Sequence, residues 1–388
     1  MTNHVDRRNF LKLSATAGAV LALAPVAIHA KETEMNKKSI PIRTLGKRTG
    51  IKLPVLSMGV MRADNPSIVR AAYNAGIIHF DTANGYQNGR NEEMLGEFFA
   101  DKPRDSFILA TKIGERPSDE AAANFLEKFE TSMKRLKMSY VDILYIHGLS
   151  NEEGVNYAPL LELALNLKKE GRAKYIGVST HSNEPVVINA MVDNGNYDVV
   201  LTTYNYTQKH LDELNPAIER AAKAGMGVIA MKTMAGGYLD RERTQKVNAR
   251  AALKWALQNP NIHTAIPGFT SFDELEESLD SATNMKLTKD EKKYLSMAHP
   301  SMYCQGCRVC EGQCSKRLPI PEIMRAYMYN YGYGSPALAR DVIDELALTG
   351  DLCNDCAVCN VRCTAGFQVA QKVKDITRLQ YVPQEFLA

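Results

Sequence analysis

The chain has 388 residues, with 47 Lys and Arg against 44 Asp and Glu, for a formal charge of +3. That balance carries no electrostatic footprint for nucleic acid or an acidic membrane surface, and 45% hydrophobic residues are enough to bury a sizeable core. All eight cysteines lie between Cys304 and Cys363, so any sulfur chemistry belongs to the last quarter of the chain.

The N-terminus runs Asp6-Arg7-Arg8-Asn9-Phe10-Leu11-Lys12 and continues apolar and alanine-rich from Leu13 to Ala30. A basic start, an apolar run and a small-residue exit describe a signal peptide over residues 1–30. The paired arginines point to the twin-arginine route and a periplasmic destination. A membrane anchor is the alternative, but the stretch is barely long enough and is diluted by Gly18, Pro25 and His29. Cleavage after Ala30 removes three cations and one anion, leaving about +1. Next, residues 40–54, with Gly46 and Gly50, read as a hairpin placed to close the floor of a barrel.

Over residues 40–298 short apolar runs alternate with amphipathic stretches of helical period. Expected strands are Leu56–Val60, Ile77–Thr82, Phe107–Thr111, Val141–Ile146, Tyr175–Val178, Val199–Thr203, Gly227–Met231 and Thr264–Pro267. One intervening helix carries Phe125, Phe129, Met133 and Leu136 on a single face, entered through a cap at Ser118-Asp119-Glu120. Eight such units in an α/β chain are what a (β/α)8 TIM barrel requires. A doubly wound open sheet is the alternative, but no GxGxxG follows the first strand.

In such a barrel reactive groups gather at the C-terminal strand ends. Strand two ends in Asp81-Thr82-Ala83-Asn84-Gly85-Tyr86, strand three in Thr111-Lys112 and strand four in Ile146-His147. Each residue alone has a structural explanation; four at one rim point to chemistry. Arg62, past the first strand, reads as a surface charge or a contact for an anionic substrate, and His181 as a pocket residue or a helix cap.

Residues 299–388 hold two cysteine runs, Cys304-Cys307-Cys310-Cys314 and Cys353-Cys356-Cys359-Cys363. Each is C-x2-C-x2-C-x3-C, the ligand pattern of a [4Fe–4S] cluster, so two clusters are expected. Paired zinc knuckles and local disulfides are the alternatives. The proline usual after the fourth cysteine is replaced by Ser315 and Thr364. Twin-arginine export carries folded proteins, so clusters could be inserted and shielded before the chain meets an oxidising space. A helix from residue 287 to 298 and another starting at Ser335-Pro336, with Leu338, Val342, Ile343 and Leu346 inward and a stop at Gly350, make this module mainly helical. The tyrosines at 327, 329, 331 and 333 read as local packing.

The segment 81–96 (DTANGYQNGRNEEMLG), strand-end Lys112 and His147, and Ile176-Gly177-Val178-Ser179 resemble the aldo-keto reductase family over about residues 40–300. With its tail, the chain is similar to a bacterial branch carrying a ferredoxin-like domain. The resemblance implies a catalytic tetrad of Asp81, Tyr86, Lys112 and His147 that reduces a carbonyl, or oxidises an alcohol, with NAD(P)H. It assigns Ser179 to the nicotinamide amide, Met231 to its ring and Glu277 to the adenosine end. After the eighth strand, Gly268-Phe269-Thr270-Ser271 leads into a helix whose start suits a phosphate at Gly268 and Thr270, although Ser271 and Glu274 also form a capping box that explains them structurally. This chain departs from the family at Thr180, Leu201, Gly268 and Glu274. An acid at position 274 opposes a 2′-phosphate, against a strong NADP preference. On this resemblance Lys112 stabilises the Tyr86 phenolate, Asp81 holds Lys112, and His147 completes an oxyanion site.

Three functions fit these features. The chain is an exported oxidoreductase acting on a small carbonyl or alcohol, its clusters linked to a redox partner protein. Alternatively, it is an electron-transfer protein whose barrel serves as a docking platform, with nicotinamide binding lost. Third, the clusters merely staple the tail.

Overall fold

The structure, a computed structural model, describes residues 39–387 except 116, 241, 243, 298–302, 355 and 357. The expected signal segment lies outside the described residues. Two antiparallel strands, β1 (Ile42–Thr44) and β2 (Lys52–Pro54), come first, joined through a helical turn at Gly46–Thr49. Leu45 and Leu53 are fully buried and pack with Ala110, Ile143, Val199 and Ile229 inside the barrel. Gly46 has φ +65° and sits so close to the backbone of Met226 and Gly227 that a side chain there would collide. Arg48 donates to the carbonyls of Gly195 (2.8 Å), Tyr197 (2.6 Å) and Ala224 (3.1 Å). The hairpin therefore seals the end of the barrel where the strands begin.

The barrel itself has eight strands: β3 (Met58–Gly59), β4 (His79–Asp81), β5 (Ile108–Ile113), β6 (Val141–Ile146), β7 (Ala173–Thr180), β8 (Val199–Thr203), β9 (Gly227–Met231) and β10 (Thr264–Ala265). They pair in sequence order, every pair parallel. The sheet closes on itself, because Leu56 bridges Ala265 and the Ser57 and Gly59 N–H groups donate to Ala265 (2.8 Å) and Pro267 (3.1 Å). This is the eight-stranded barrel the apolar rhythm implied. The first and last strands are two residues each, shorter than expected. At that seam a Cβ on Gly59 would meet the Ile266 carbonyl at 2.8 Å, so the closure is made by backbone approach at a glycine.

Phe125, Phe129, Met133 and Leu136 are buried along the helix Ala121–Leu136, as their spacing required. The expected cap differs: no side chain caps this helix, and Ser118 contributes its carbonyl to the Ala121 N–H (3.1 Å). The helix expected over residues 287–298 is Lys289–Ser296, started by a reciprocal capping box between Thr288 and Glu291.

Beyond it, helices Ile320–Tyr331, Pro336–Glu345 and Val369–Thr377 enclose a second core of Ile323, Tyr327, Ile343, Val373 and Ile376. The helix expected to run to Gly350 ends at Glu345, where the chain reverses through Ala347 at φ 50°. Leu338 and Leu346 are only partly buried, the centre of that helix being Ala339, Val342 and Ile343.

The tail packs on the rim where the strands end. The Asn183 N–H donates to Gly306 (3.0 Å), Asn205 to Gln305 (3.1 Å), Arg308 to Ser182 (3.2 Å) and Lys209 to Thr364 (2.8 Å). Gly306, at φ +76°, lies against the His181 carbonyl and Ser182 with no room for a Cβ. The ring of Tyr303 likewise covers Gly236.

Candidate active site

The segment 81–96 builds the site through residues that never touch a substrate. Asn91, fully buried, accepts from Thr82 Oγ1 (2.7 Å) and donates to the carbonyls of Val60 (2.7 Å) and Ala63 (3.1 Å). Glu92, also fully buried, accepts from Thr111 Oγ1 (2.7 Å) and faces Arg135 at 3.4 Å. Arg135 in turn donates to the Asn84 carbonyl (3.0 Å). Gly89 at φ +91°, against the Arg135 guanidinium, and Gly96, against the Arg135 and Leu136 backbone, let the helix Arg90–Phe99 pack there without a Cβ in the way. The loop that presents Tyr86 is thereby tied to β3, β5 and the helix Ala121–Leu136.

Lys112, at 1% exposure, forms an ion pair with Asp81, donates to the Thr82 carbonyl (2.6 Å) and lies 3.4 Å from the Tyr86 hydroxyl. Burial pushes the Asp81 carboxyl up and the Lys112 ammonium down, and their mutual attraction opposes both shifts. Among the described residues, Asp81 Oδ2 has no partner, so Lys112 is what keeps that carboxylate charged. The Tyr86 and His147 rings meet edge to face at 6.1 Å. The structure therefore brings the four rim residues singled out in the sequence together.

Burial, then the Asp81 charge, hold the Tyr86 phenol well above its usual value, and Arg325 from the tail is the cation opposing them. Tyr86 is thus fully protonated at neutral pH, with Lys112 placed to stabilise the phenolate once the proton leaves. His147 sits well below the usual imidazole range through burial and the charges of Lys112, Arg325 and Lys232. It is neutral and retains an N–H to donate.

A cavity of about 250 Å³ opens from Asp81 and Tyr86, passes Met231 and Lys232, and reaches Gly268, Glu274 and Glu277. Met231, Gly268 and Glu277 line it as the sequence suggested; Ser179 and Thr270 are not among its lining residues. Ser179 is fully buried, its Oγ accepting the Gly148 N–H (3.0 Å). Thr270 is turned toward Glu274, whose carboxylate takes its N–H (2.7 Å) and hydroxyl (2.9 Å). The reciprocal capping box expected at Ser271 and Glu274 is therefore half formed. Ser271 accepts the Glu274 N–H (3.2 Å), but the carboxylate reaches one residue further back. A negative group already occupies this helix start, where a phosphate would otherwise sit.

Sequence reasoning missed the roof. Tyr329 and Tyr333, assigned only to local packing, line the cavity from the tail, and Arg62 lines it 5.5 Å from the Tyr333 ring. His181 also lines it, 5.8 Å from His147. The alternation of tyrosines along 327–333 was the one signal in the sequence, and it carried no direction.

All eight cysteines are free and partly exposed. Cys304 feels the thiols of Cys310, Cys307 and Cys363; Cys353 feels those of Cys356, Cys314 and Cys359. Each quartet thus takes its fourth member from the other run, an arrangement that fits two [4Fe–4S] clusters. Burial pushes the Cys304 thiol up to about 12, so ligation there displaces a firmly held proton, while the Gly306 N–H donates to its sulfur (3.3 Å). Among the described residues no three His, Cys, Asp or Glu side chains stand close enough to share a single ion. A four-iron cube spaces its thiolates more widely than one ion does.

The aldo/keto reductase family model matches residues 57–251, half of the chain. The chain belongs to the aldo/keto reductase family. It is 27% identical over 282 residues to an uncharacterized oxidoreductase, YqkF, of Bacillus subtilis, covering 63% of this chain and 90% of that one. It is 26% identical over 305 residues to an L-galactose dehydrogenase of Arabidopsis thaliana, covering 66% and 92%. Among solved structures, aldo-keto reductase AKR11C1 of Bacillus halodurans in its holo form superposes with a TM-score of 0.56 at 23% identity. That match covers 68% of this chain and 97% of the other, a likeness of fold. This member of the family is an oxidoreductase whose family match ends before the first cysteine.

Proposed function

We propose that this aldo/keto reductase is an exported iron–sulfur enzyme that reduces a small carbonyl, or oxidises the alcohol, with Tyr86 as its proton donor. The observation that carries the reading is the Asp81–Lys112–Tyr86 chain at the head of a cavity roofed by the cysteine-bearing tail. A nicotinamide bound along the cavity would supply the hydride, with Met231, Gly268 and Glu277 among the residues against it. The chain's own groups do the rest. Tyr86 hydrogen-bonds the substrate oxygen and gives it a proton as negative charge develops there. Lys112 stabilises the resulting phenolate, and Asp81 holds Lys112 charged and oriented. Neutral His147 donates a second hydrogen bond to the same oxygen.

The two thiol quartets would hold clusters that pass single electrons to or from a redox partner protein. The segment 1–30 would send the folded chain through the twin-arginine route to the periplasm. A second reading, an electron carrier with a docking barrel, draws on Glu274, whose carboxylate fills the helix start where a dinucleotide phosphate would rest.

Protein purified without air and assayed for iron, sulfide and nucleotide on one sample separates these readings. About eight iron per chain with retained NAD(P) supports the enzyme. Reducible clusters without nucleotide support the carrier, and clusters with no accessible reduction leave a structural staple. Tyr86→Phe is expected to abolish carbonyl turnover while leaving the iron content unchanged; undiminished turnover removes Tyr86 from the mechanism.

A further inference from the structure

Lys232 follows directly on β9, at the rim where the strands end, and lines the cavity with Met231 and Thr233. Its backbone is left-handed, at φ +56°, a conformation that a residue with a Cβ rarely adopts. Hydrogen bonds hold it there. The Lys232 carbonyl accepts the Ala235 N–H (3.1 Å) and the side-chain amide of Asn205 (3.3 Å), and Asn205 also donates to Gln305 of the tail (3.1 Å). The backbone that carries this amine is therefore fixed by both the barrel and the tail.

The amine differs from the two fully buried lysines, each of which is held by a carboxylate: Lys112 by Asp81, and Lys254 by Glu291 at 2.9 Å. Among the described residues Lys232 forms no such ion pair, and its Nζ stands over the Tyr329 ring, 5.6 Å from the centroid. Burial, then the charge of Arg325, lowers its ammonium to about 7, which Cys304 and Glu184 oppose only in part. A pocket lysine without a carboxylate gives up its proton readily, and the neutral amine is a nucleophile toward carbonyls.

We infer that Lys232 is a second reactive group of the cavity, which captures small aldehydes covalently and reversibly as an iminium at its Nζ. The neutral amine adds to the carbonyl carbon while the C=O electron pair moves to oxygen, and a proton passes from nitrogen to that oxygen. The hydroxyl then takes a second proton and leaves as water as the C=N bond forms; nothing is oxidised or reduced. Tyr329 supplies that second proton: burial pushes its phenol up to about 12, so it is protonated, and its ring lies beneath the amine. The cavity volume of about 250 Å³ keeps the aldehyde small. The ligand class rests on the carbonyl chemistry proposed above, but capture requires neither Tyr86 nor a nicotinamide. Because Tyr329 belongs to the tail, the tail takes part in this chemistry apart from any electron transfer.

The test uses the full chain, purified without air and carrying Tyr86→Phe, exposed to propionaldehyde with cyanoborohydride. That reagent reduces an iminium to a stable propyl-lysine, and peptide mass spectrometry maps the labelled lysines from about pH 6 to about pH 10. Lys246, which lines the same cavity but is exposed, is the internal control. At neutral pH Lys232 should be labelled at least about tenfold faster than Lys246, with a labelling midpoint at least about one pH unit lower. Lys232→Met should abolish the fast label and leave the Lys246 label unchanged. The comparison of the two lysines lies within one protein, so it decides the matter even if Lys232→Met fails to fold. Equal labelling rates, or a shared midpoint, overturn the capture, as for a lysine that only pairs with a bound anion. Turnover is measured separately on protein with Tyr86 intact. Fast Lys232 labelling without Tyr86-dependent turnover leaves the capture and removes the reduction; Tyr86-dependent turnover without that labelling does the reverse.

Discussion

Replacing Lys112 by methionine tests the ion pair on which the site is built. Lys112 and Asp81 have side chains 1% and 3% exposed, and the ammonium also satisfies the Thr82 carbonyl at 2.6 Å. The substitution keeps the stem's volume but leaves a buried carboxylate with neither oxygen paired and a carbonyl without its donor. Breaking a buried pair from one side costs about 3–5 kcal/mol. Asp81→Asn in the same protein removes the stranded charge, so the double variant should recover about half of that loss or more. The pH dependence carries a second signature. Burial already pushes the Asp81 carboxyl up, and without Lys112 nothing nearby holds it down. A carboxyl raised in the folded state binds its proton more tightly there than in the unfolded chain. The variant should therefore lose stability as pH rises from about 4 through the raised folded value, and regain it on acidification. Urea unfolding followed by far-UV circular dichroism at pH 5 and pH 8 gives the numbers. A loss below about 1 kcal/mol, or a double variant no better than Lys112→Met, would refute the buried-pair account.

Three further outcomes are expected. His79 is fully buried, neither ring nitrogen has a partner among the described residues, and burial lowers its pKa to about 4. Its folded value lies below its unfolded one, so it should cost the wild type about 3 kcal/mol as pH falls from 6.5 to 4. His79→Leu should flatten the stability profile across that window, and an unchanged slope counts against it. Glu274→Arg frees the Thr270 N–H and reverses the charge at the helix start. NADP(H) should then bind about tenfold tighter relative to NAD(H) in fluorescence titrations, and an unaltered ratio places the 2′-phosphate elsewhere. Gly306→Ala forces a Cβ into the His181 carbonyl at φ +76°. Iron content per chain should drop with Tyr86-dependent turnover, whereas full iron occupancy shows that the first cysteine loop tolerates displacement.

Much was legible without coordinates. Eight apolar runs separated by amphipathic segments leave few ways to bury their faces, and the closed parallel barrel is the one observed. Asp81, Lys112 and His147 were identifiable because strand ends in such a barrel converge on one rim, whatever the details of the helices outside. Caps and strand ends were less legible, since Ser118 uses its backbone where a side-chain cap was expected and β3 and β10 are cut short at a glycine seam. At Glu274 the charge was readable, but not the atom it would engage.

Local sequence determined the barrel, the identities at its rim and the two cysteine runs, because each arises from periodicity or spacing within a few dozen residues. Only the tertiary structure decided that the tail lies over the barrel mouth, that Tyr329 and Tyr333 line the pocket, and that Cys314 and Cys363 each stand with the other run's thiols. Those arrangements join segments from opposite ends of the fold. They depend on close backbone approaches at Gly236 and Gly306 and on hydrogen bonds from Asn183 and Asn205, which no local pattern encodes.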